Sequence, residues 1–174
     1  RREIWKVVRE QAINAALQID LTGQSSSESI GKYFYSGIGG HADFMRGTTL
    51  SPAGKTILTL RSTSNDGTRS RIVPLLDEGA GVTLTRGDVH YVVTEYGIAY
   101  LHGKNIRERA MDLIAIAHPR FRPWLIDEAK RLGIIYRDQA FIPGKRGEYP
   151  EALETFRTTK SGFTMLLRPV KISD

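Results

Sequence analysis

The sequence predicts an α/β domain in which helices cover a sheet, and three observations lead to this class. Four short runs in the middle of the chain are rich in valine, isoleucine and threonine, which strands favour. Two later stretches carry apolar residues at helical spacing. Glycine-containing turns separate these elements, and 174 residues are enough for one domain with a packed core.

The four strand-like runs are bounded by residues that favour turns. Glycine with aspartate, asparagine or arginine interrupts the pattern at residues 65–67, 77–79 and 86–88. Strands alternating with such turns and followed by helices are typical of an α/β layer arrangement. The runs predicted to form the sheet are residues 56–60, 70–76, 81–85 and 91–94.

Two helices are predicted after the sheet. Asn105 is a suitable N-cap for the first, which ends at His118-Pro119, and Gly133 is placed as the C-cap of the second. Each helix has an apolar stripe with spacings of three and four. The stripes are Ile106, Ala110, Leu113, Ile114 and Ala117 in the first helix and Phe121, Trp124, Leu125, Ala129 and Leu132 in the second.

Four segments precede the predicted sheet. Residues 7–21 fit either a short helix or a pair of strands, and the polar residues 24–29 predict a loop. Three glycines within residues 37–40 predict a turn that needs unusual backbone freedom. Residues 43–49 then predict a helix, which the Ser-Pro-Ala-Gly sequence at residues 51–54 ends.

The composition excludes several classes of protein. Hydrophobic residues make up 40% of the chain and charged residues 25%, values typical of a globular protein and not of a disordered one. The chain has no cysteine, which excludes disulfides, thiolate metal sites and a cysteine nucleophile. No apolar run reaches the roughly 18 to 20 residues of a membrane-spanning helix. We therefore expect a soluble, cytoplasmic protein with no membrane partner.

The net charge suits an anionic ligand without identifying one. Lysine and arginine outnumber aspartate and glutamate by 25 to 19, a formal charge of +6. Such an excess is compatible with a phosphorylated cofactor or with nucleic acid. The basic residues are spread along the chain, and no recognised nucleic-acid-binding motif accompanies them. We expect a solvated basic surface and no nucleic-acid partner.

The ends of the chain suggest that it belongs to something longer. It begins with Arg1 and not with methionine, which favours a piece cut from a larger protein. After the second helix the sequence becomes polar, and a strand-like run returns only near the end. We place one domain at residues 1–136 and a linker with the start of a following segment at residues 137–174.

The glycine turn is the first candidate for chemistry. Gly37, Ile38, Gly39 and Gly40 follow an aromatic run and precede a predicted helix. Successive backbone N–H groups in such a turn can converge on an anion or on the oxyanion of an acyl-transfer intermediate. Side chains would block that approach, which gives glycine a functional reason to be there. An ordinary tight turn uses the same residues, so the motif alone leaves both interpretations open.

Seven motifs occur in order along most of the chain. They are INAALQIDLTGQ at residues 13–24, SGIGGHADF at 36–44, ST at 62–63, SRIVP at 70–74, VTEYGIA at 93–99, RERA at 107–110 and IAHP at 116–119. Taken together, they closely resemble the C-terminal domain of the acetyl-CoA hydrolase and 4-hydroxybutyrate/acetate CoA-transferase family. The resemblance runs from about Ile13 to Leu132.

This resemblance implies a CoA-transferase-type (NagB/RpiA-like) fold, with αβα layers around a mainly parallel sheet. It implies that coenzyme A lies between two such domains, and that acyl-CoA reacts with a small carboxylate through a glutamyl-CoA thioester, a case of covalent catalysis. In the family, this glutamate lies well upstream of the glycine turn. The carboxylates that precede the turn here lack its surroundings, so we expect the nucleophile to lie before this chain. These carboxylates are Glu3, Glu10, Asp20 and Glu28.

The resemblance also implies roles for individual residues. Gly39 and Gly40 match residues of the turn whose backbone amide holds the thioester oxygen, and Gly37 and Ile38 complete this coenzyme-binding turn. Lys55 matches a lysine near the coenzyme, where its charge would pair with a phosphate or a carbonyl. A solvated lysine is the alternative for that position. The loop at residues 24–27 corresponds to one that approaches coenzyme A, but its three serines depart from the family pattern.

Other candidates are weaker. Glu95 ends an apolar strand, where a carboxylate needs a partner, and an ion pair with Arg71 or Arg107 is the structural explanation. Ser36 lacks the Gly-x-Ser-x-Gly elbow of a hydrolase, and no Walker-type phosphate loop is present. We expect no metal, because the spacing of the candidate ligands matches no helical or hairpin metal site. These ligands are His41, Asp43, His90 and His102.

The predicted partners follow from the resemblance. They are acyl-CoA, a small carboxylate and the N-terminal CoA-transferase domain of the parent chain, and a homodimer is left open. The alternative function is a regulatory domain that binds coenzyme A or acyl-CoA without turnover, and the sequence upstream would distinguish the two. Residues 163–170 resemble the opening strand of a Gcn5-related N-acetyltransferase domain, which would make the parent a fusion.

Overall fold

The computed structural model describes residues 11–141, which form an α/β fold with a mainly parallel main sheet. No helix in this range is long and apolar enough to cross a bilayer. The strands are β1 (Gln11–Ala15), β2 (Gln18–Asp20), β3 (Ser25–Ser26), β4 (Ser29–Ile30), β5 (Tyr33–Phe34), β6 (Lys55–Thr59), β7 (Ile72–Val73), β8 (Tyr91–Thr94) and β9 (Gly97–Tyr100). The helices are α1 (His41–Thr49), α2 (Ile106–Ala115) and α3 (Arg122–Arg131).

The main sheet has the strand order β1-β6-β8-β9. Strands β1, β6 and β8 are parallel, and β9 returns antiparallel to β8. Gly97 begins this return with a φ of +142°, a conformation that side chains disfavour. The β9 strand was not among the four predicted runs, because only four residues follow the turn and half of them are exposed.

Both predicted C-terminal helices are confirmed. Asn105 caps α2 by accepting a hydrogen bond from Glu108 N at 3.0 Å, while the Glu108 carboxylate accepts one from Asn105 N at 3.1 Å. This reciprocal pair is a capping box. Gly133 follows α3 with a φ of +69° and donates to Lys130 O at 3.1 Å. Helix α2 ends at Ala115, a little before His118-Pro119, where a separate turn of 3₁₀ helix begins.

One predicted strand is shorter than expected, and another is wrong. Of residues 70–76, only Ile72–Val73 forms a strand, which pairs with β2 in a second sheet of order β3-β2-β7. Residues 81–85 form no strand, because Leu84 makes a single bridge to Ser25. Thr83 N and Leu84 N both donate to the same carbonyl, Ser25 O, so the hydrogen bonds do not continue residue by residue as they do between paired strands. The apolar composition of this run reflects the burial of Leu84, not strand pairing.

The part of residues 7–21 that the structure describes consists of strands and not a helix. Strand β1 pairs with β6, whereas β2 pairs with β3 and β7. Residues 24–29 were predicted as a loop but contribute the short strands β3 and β4. Ser26 and Ser29 are fully buried there, and Ser26 Oγ donates to Ser29 O at 2.9 Å. These bonds satisfy the hydroxyl groups of Ser26 and Ser29 inside the fold.

The helices cover one face of the main sheet. Leu58 and Val92 point from β6 and β8 into a single hydrophobic core. Met45 from α1, Leu113 from α2 and Leu125 from α3 belong to the same core, and all five side chains are fully buried. This shared core places one helical layer against the sheet.

The opposite face of the main sheet has no helical cover within residues 11–141. Ile13, Ile57, Tyr91 and Tyr100 are aligned side by side across its four strands. Ile13 is 62% exposed, although parallel sheets are normally covered on both faces. We call this row the open sheet face. The described residues therefore provide one of the two helical layers of an αβα arrangement.

The domain boundary at residue 136 stays a prediction. Ile135 is buried in the core, and Phe141 packs against it. Residues 142–174, which include the segment that resembles an acetyltransferase strand, lie outside the described residues.

Candidate functional site

The glycine turn lies at the edge of the main sheet where the parallel strands end. Helix α1 begins directly after the turn. Two tight turns connect its end to the start of β6, with hydrogen bonds from Ser51 N to Thr48 O and from Gly54 N to Ser51 O. Because β1 and β6 are parallel, α1 runs antiparallel to both in the connection between them. Its first residues therefore lie at the carboxyl ends of the strands, where open α/β sheets bind ligands.

The described part of the chain leaves the front of the turn open. A Cβ atom built on Gly37 or Gly39 meets no atom within 4 Å. Gly39 has a φ of +55°, which glycine adopts most readily. Gly40 is the N-cap of α1, and no side chain caps this helix. The first N–H groups of a helix lack acceptors within the helix, so those at the turn are available to a carbonyl oxygen or an anion.

Apolar side chains flank these amides. Ile38 and Phe44 are both more than half exposed. A Cβ atom on Gly40 would lie 3.3 Å from Phe44 Cε2, so the phenyl ring lies directly beside that glycine. The turn thus combines backbone donors with an apolar border, an arrangement suited to a polar carbonyl on an apolar acyl chain.

Glu95 lies at the same sheet edge, immediately after β8. Its carboxylate accepts hydrogen bonds from Ser62 N at 2.9 Å and from Ser62 Oγ at 2.6 Å. The expected arginine partner is not confirmed, because Ser62 holds this carboxylate. Arg107 instead lies over the ring of Tyr136, 4.4 Å from its centroid. Glu95 is exposed and not buried as its strand position suggested, which removes the need for a neutralising charge.

Lys55 lies at the amino ends of the parallel strands, opposite the end that carries the glycine turn. It is the first residue of β6, in register with Gln11 of β1. The nine residues of α1 separate this edge from the glycine turn, a distance of about 13 Å at 1.5 Å per residue. The turn and Lys55 therefore do not form one compact site, and a ligand that touches both must be elongated.

The Gln24–Ser27 segment is folded into the second sheet. Ser25 and Ser26 are fully buried. Gln24 N and Nε2 donate to the Asp20 carboxylate at 3.0 and 3.2 Å. Most polar groups of this segment thus serve the fold, and the serines do not line an open loop.

The histidines do not gather into a metal centre within residues 11–141. The rings of His90 and His102 are 4.1 Å apart, but no third ligand completes a cluster in this range. Burial lowers the pKa of His41, whose Nε2 has no hydrogen-bond partner among the described residues. Burial and the nearby His102 and Arg109 also lower the pKa of His90. Both rings favour the neutral form.

One feature of α1 has no obvious sequence signal. Arg46 of α1 donates from Nε and Nη2 to the two carboxylate oxygens of Asp88, at 2.8 and 3.1 Å. Burial raises the pKa of Asp88, but hydrogen bonds from Arg46 and Thr85 outweigh this effect and hold the pKa below its usual range. The Thr85-to-Asp88 spacing indicates a turn, whereas the partner on α1 is 42 residues away. This pair fixes the helix that carries the glycine turn.

The sheet, the helix that follows the glycine turn and the position of that turn define an α/β domain of the CoA-transferase class. The chain belongs to the family described as acetyl-CoA hydrolase/transferase C-terminal domain, whose sequence profile matches residues 2–129. This confirms the predicted family and fold class.

Similar proteins include both transferases and hydrolases. The chain is 55% identical over 120 residues to 4-hydroxybutyrate coenzyme A transferase of Clostridium kluyveri, and 53% identical over 124 residues to succinyl-CoA:cyclohexane-1-carboxylate CoA transferase of Geobacter metallireducens. It is 35% identical over 127 residues to acetyl-CoA hydrolase of Kluyveromyces lactis. These alignments cover 69%, 71% and 69% of this chain but 28%, 28% and 23% of the relatives. The chain thus spans less than a third of their length.

Solved structures agree with this assignment. RipA from Yersinia pestis matches with a TM-score of 0.63 and 43% identity, over 72% of this chain and 26% of that one. The 4-hydroxybutyrate CoA-transferase from Porphyromonas gingivalis matches with a TM-score of 0.60 and 43% identity, over 74% and 28%.

Proposed function

We propose that this domain supplies the oxyanion-binding wall of an acyl-CoA:carboxylate CoA-transferase or acetyl-CoA hydrolase. The observation that carries the proposal is the open glycine turn at the carboxyl edge of the sheet in a chain of this family. The substrates are acyl-CoA and a small carboxylate, or water in the hydrolase. Coenzyme A lies between this domain and the N-terminal domain of the parent chain, in the cytoplasm.

The proposed reaction begins with a glutamate upstream of this chain. Its carboxylate attacks the thioester carbonyl, the C–S bond breaks, and an acyl-glutamyl anhydride and the coenzyme A thiolate form. The thiolate then attacks the glutamyl carbonyl, which releases the acyl group as a carboxylate and leaves a glutamyl-CoA thioester. A second carboxylate reverses these steps to give a new acyl-CoA, whereas water attacks the glutamyl-CoA thioester, regenerates the glutamate and releases free coenzyme A.

Each attack develops negative charge on a carbonyl oxygen, and Gly39 and Gly40 stabilise that charge. Their amides lie at the start of α1, where the helix dipole also favours a negative group. Ile38 and Phe44 exclude water from one side and thereby strengthen these hydrogen bonds. We propose that Lys55, at the amino ends of the strands, contacts only the far end of an elongated ligand such as coenzyme A.

A substitution at Gly37 tests this assignment without disturbing the fold. Gly37 lies outside the left-handed region, and a side chain there meets no neighbour within 4 Å. In the parent enzyme, Gly37→Val should retain the melting temperature but fill the approach to the turn. We expect turnover of acyl-CoA to fall by roughly 10²-fold or more, because a carbonyl kept away from the turn loses at least one oxyanion donor.

Gly47→Ala is the matched control. Gly47 lies inside α1, and its added Cβ also meets no neighbour within 4 Å, yet it leaves the front of the turn clear. The control should keep wild-type turnover. Equal turnover in Gly37→Val and Gly47→Ala would contradict the proposed site.

The alternative is a regulatory domain that binds acyl-CoA without turnover. The observation behind it is that the carboxylate seen at this sheet edge, Glu95, accepts two hydrogen bonds from Ser62, so a nucleophile has to come from outside the described residues. Intact-mass measurement of the parent protein after exposure to acetyl-CoA separates the two functions. A coenzyme A adduct on an upstream glutamate supports catalysis, whereas saturable binding without any adduct supports regulation.

A further inference from the structure

A second cleft lies away from the glycine turn. It has a volume of about 1030 Å³ and is lined by the second sheet, the loop at residues 64–71 and the residues around the start of α3. We call it the arginine cleft, after Arg69 and Arg71 in its wall. Within the described part of the chain, its lining includes neither the glycine turn nor α1 nor Glu95. The proposed function therefore leaves this cleft without a role.

The walls of the arginine cleft are held in place by hydrogen bonds to the main chain. Ile19 N donates to Arg71 O at 3.0 Å, which fixes Arg71 beside β2. Arg120 Nη2 donates to Gly67 O at 2.5 Å and joins the loop to the residues before α3. The cleft is thus formed in advance, which lowers the ordering cost of binding.

The two arginines of the cleft offer guanidinium groups to a ligand. Arg69 is exposed and Arg71 is half-buried. Neither side chain forms a hydrogen bond or an ion pair with another residue of the range that the structure describes. A guanidinium group in this state favours a phosphate or a carboxylate, which its planar fork can bind with two hydrogen bonds.

Two carboxylates in the same cleft balance these charges. Asp66 accepts hydrogen bonds from Ser64 Oγ and from the backbone and hydroxyl of Thr68, which lower its pKa to about 2. Asp77 Oδ2 accepts one from Gln18 Nε2 at 2.9 Å. A simple anion would be repelled by these groups as well as attracted by the arginines. A well-matched ligand must therefore bring hydrogen-bond donors together with its anionic group.

Gln18 provides a buried acceptor in the floor of the cleft. It is 7% exposed and precedes Ile19, which is in register with Ile72, so Gln18 lies beside Arg71. Because the Asp77 carboxylate can only accept, the amide nitrogen of Gln18 faces it. Gln18 Oε1 is left buried without a donor among the described residues. Such an acceptor is unfavourable, and a ligand hydroxyl or amino group can supply the missing hydrogen bond.

Aromatic side chains form the apolar part of the cleft. The rings of Phe121 and Trp124 meet edge to face, with their centroids 6.4 Å apart. Trp124 is 43% exposed, which leaves part of its ring accessible. An accessible indole ring can stack on a flat heterocycle of any sequence or substitution pattern.

We infer that the arginine cleft binds a nucleoside phosphate at a site separate from that of coenzyme A. The phosphate pairs with Arg69 and Arg71. A ribose hydroxyl donates to Asp77 or to Gln18, and the base stacks on Trp124. A lone phosphate ion would leave most of the volume unused, and a simple aromatic acid would bring no donor for the two acceptors. The inference goes beyond the proposed function and does not depend on it, because no lining residue has a part in acyl transfer.

Photolabelling of the parent protein with 8-azido-AMP tests the inference. The azide is on the base, so we expect a saturable adduct on the peptide that contains Trp124, located by mass spectrometry. Unlabelled AMP should suppress this adduct, whereas saturating coenzyme A should leave it unchanged. Absence of an AMP-sensitive adduct on that peptide overturns the inference. Loss of the adduct in coenzyme A would assign the cleft to the coenzyme and overturn a separate site.

The affinity for AMP provides a second readout, by calorimetry of the parent protein. Arg69→Gln/Arg71→Gln removes both guanidinium groups without breaking a side-chain contact among the described residues, so it should melt like the wild type. We expect the Kd for AMP to rise by about 10- to 100-fold, since each group donates charge-assisted hydrogen bonds to the phosphate.

Lys130→Gln/Arg137→Gln is the matched control. It removes the same amount of positive charge from residues outside the cleft and should bind AMP like the wild type. Equal weakening in both double variants would reveal a general effect of charge and overturn the inference. Neither readout requires turnover, so a parent without acyl-CoA activity would contradict the proposed function alone.

Discussion

Ser62 donates two hydrogen bonds to the carboxylate of Glu95, one from its backbone and one from its hydroxyl group. The two residues follow β6 and β8, which are neighbouring parallel strands. The contact therefore ties the ends of these strands together at the edge that carries the glycine turn. The sequence predicted an arginine as the partner of Glu95, but the partner is a serine whose side chain is buried.

Loss of the Ser62 hydroxyl should destabilise the protein. In Ser62→Ala, the Glu95 carboxylate keeps only the backbone bond. We expect the free energy of unfolding to fall by about 1.5 kcal/mol, the low end for a bond to a charged group because Glu95 is exposed. Urea denaturation measures the change. Ser27→Ala is the control, because the Ser27 hydroxyl is buried without a partner among the described residues and its removal should cost nothing. Equal losses in both variants would count against this role of Ser62.

Gly54 is required where α1 meets β6. A Cβ atom at this position would lie 1.9 Å from Thr48 O, which is backbone and cannot swing away. Gly54→Ala should therefore lower the free energy of unfolding by about 3 kcal/mol or more, as other changes that force backbone out of place do. Gly47→Ala, seven residues earlier, should be neutral or stabilise by up to about 1 kcal/mol. Thermal unfolding of the two variants gives the comparison, and a stable Gly54→Ala protein would refute the close approach.

The N-cap of α2 contributes measurably to the free energy of unfolding. Asn105→Ala removes the acceptor for Glu108 N and breaks the capping box. We expect a loss of about 1 kcal/mol in the free energy of unfolding. Asn105→Asp retains an acceptor oxygen and should lie close to the wild type. The prediction fails if chemical denaturation shows both variants equally destabilised.

Stability should fall as the solution becomes mildly acidic. Burial lowers the pKa of His41 and, together with His102 and Arg109, that of His90, so the unfolded chain binds protons more readily than the folded one. This contribution is fully present above the ordinary imidazole pKa and is lost as pH falls from there towards the lowered folded pKa values. Urea unfolding at about pH 7.5 and about pH 5.5 should show the decrease. His41→Gln/His90→Gln should flatten it, and an unchanged slope in that variant would rule out these two rings as the cause.

Local signals were enough for several elements. The Asn105 cap, the apolar stripes and Gly133 predicted α2 and α3, and β-branched runs predicted β6 and β8. These features depend on a few neighbouring residues, so they can be read directly from the sequence. The glycine turn was found for the same reason, since three glycines within four residues mark it.

Long-range features escaped prediction. Strand β1 pairs with β6 across more than 40 residues, and the Arg46–Asp88 bond spans 42. Ser25 and Ser26 look like loop residues until their burial in β3 is known. The partner of Glu95 is Ser62, which follows the neighbouring strand β6. Charge alone predicted an arginine, because the sequence does not show which strands are neighbours. In each case, tertiary contacts decide the outcome.

The open sheet face bears on how the protein folds. Ile13 and Tyr100 are exposed and Ile57 and Tyr91 are half-buried, so β1 and β9, the two outermost strands of the main sheet, gain their full stability only when this row is covered. Folding of this domain and of its covering layer should therefore be one cooperative event. Residues 11–141 produced in isolation would expose an apolar surface across four strands. We expect them to self-associate increasingly as their concentration rises.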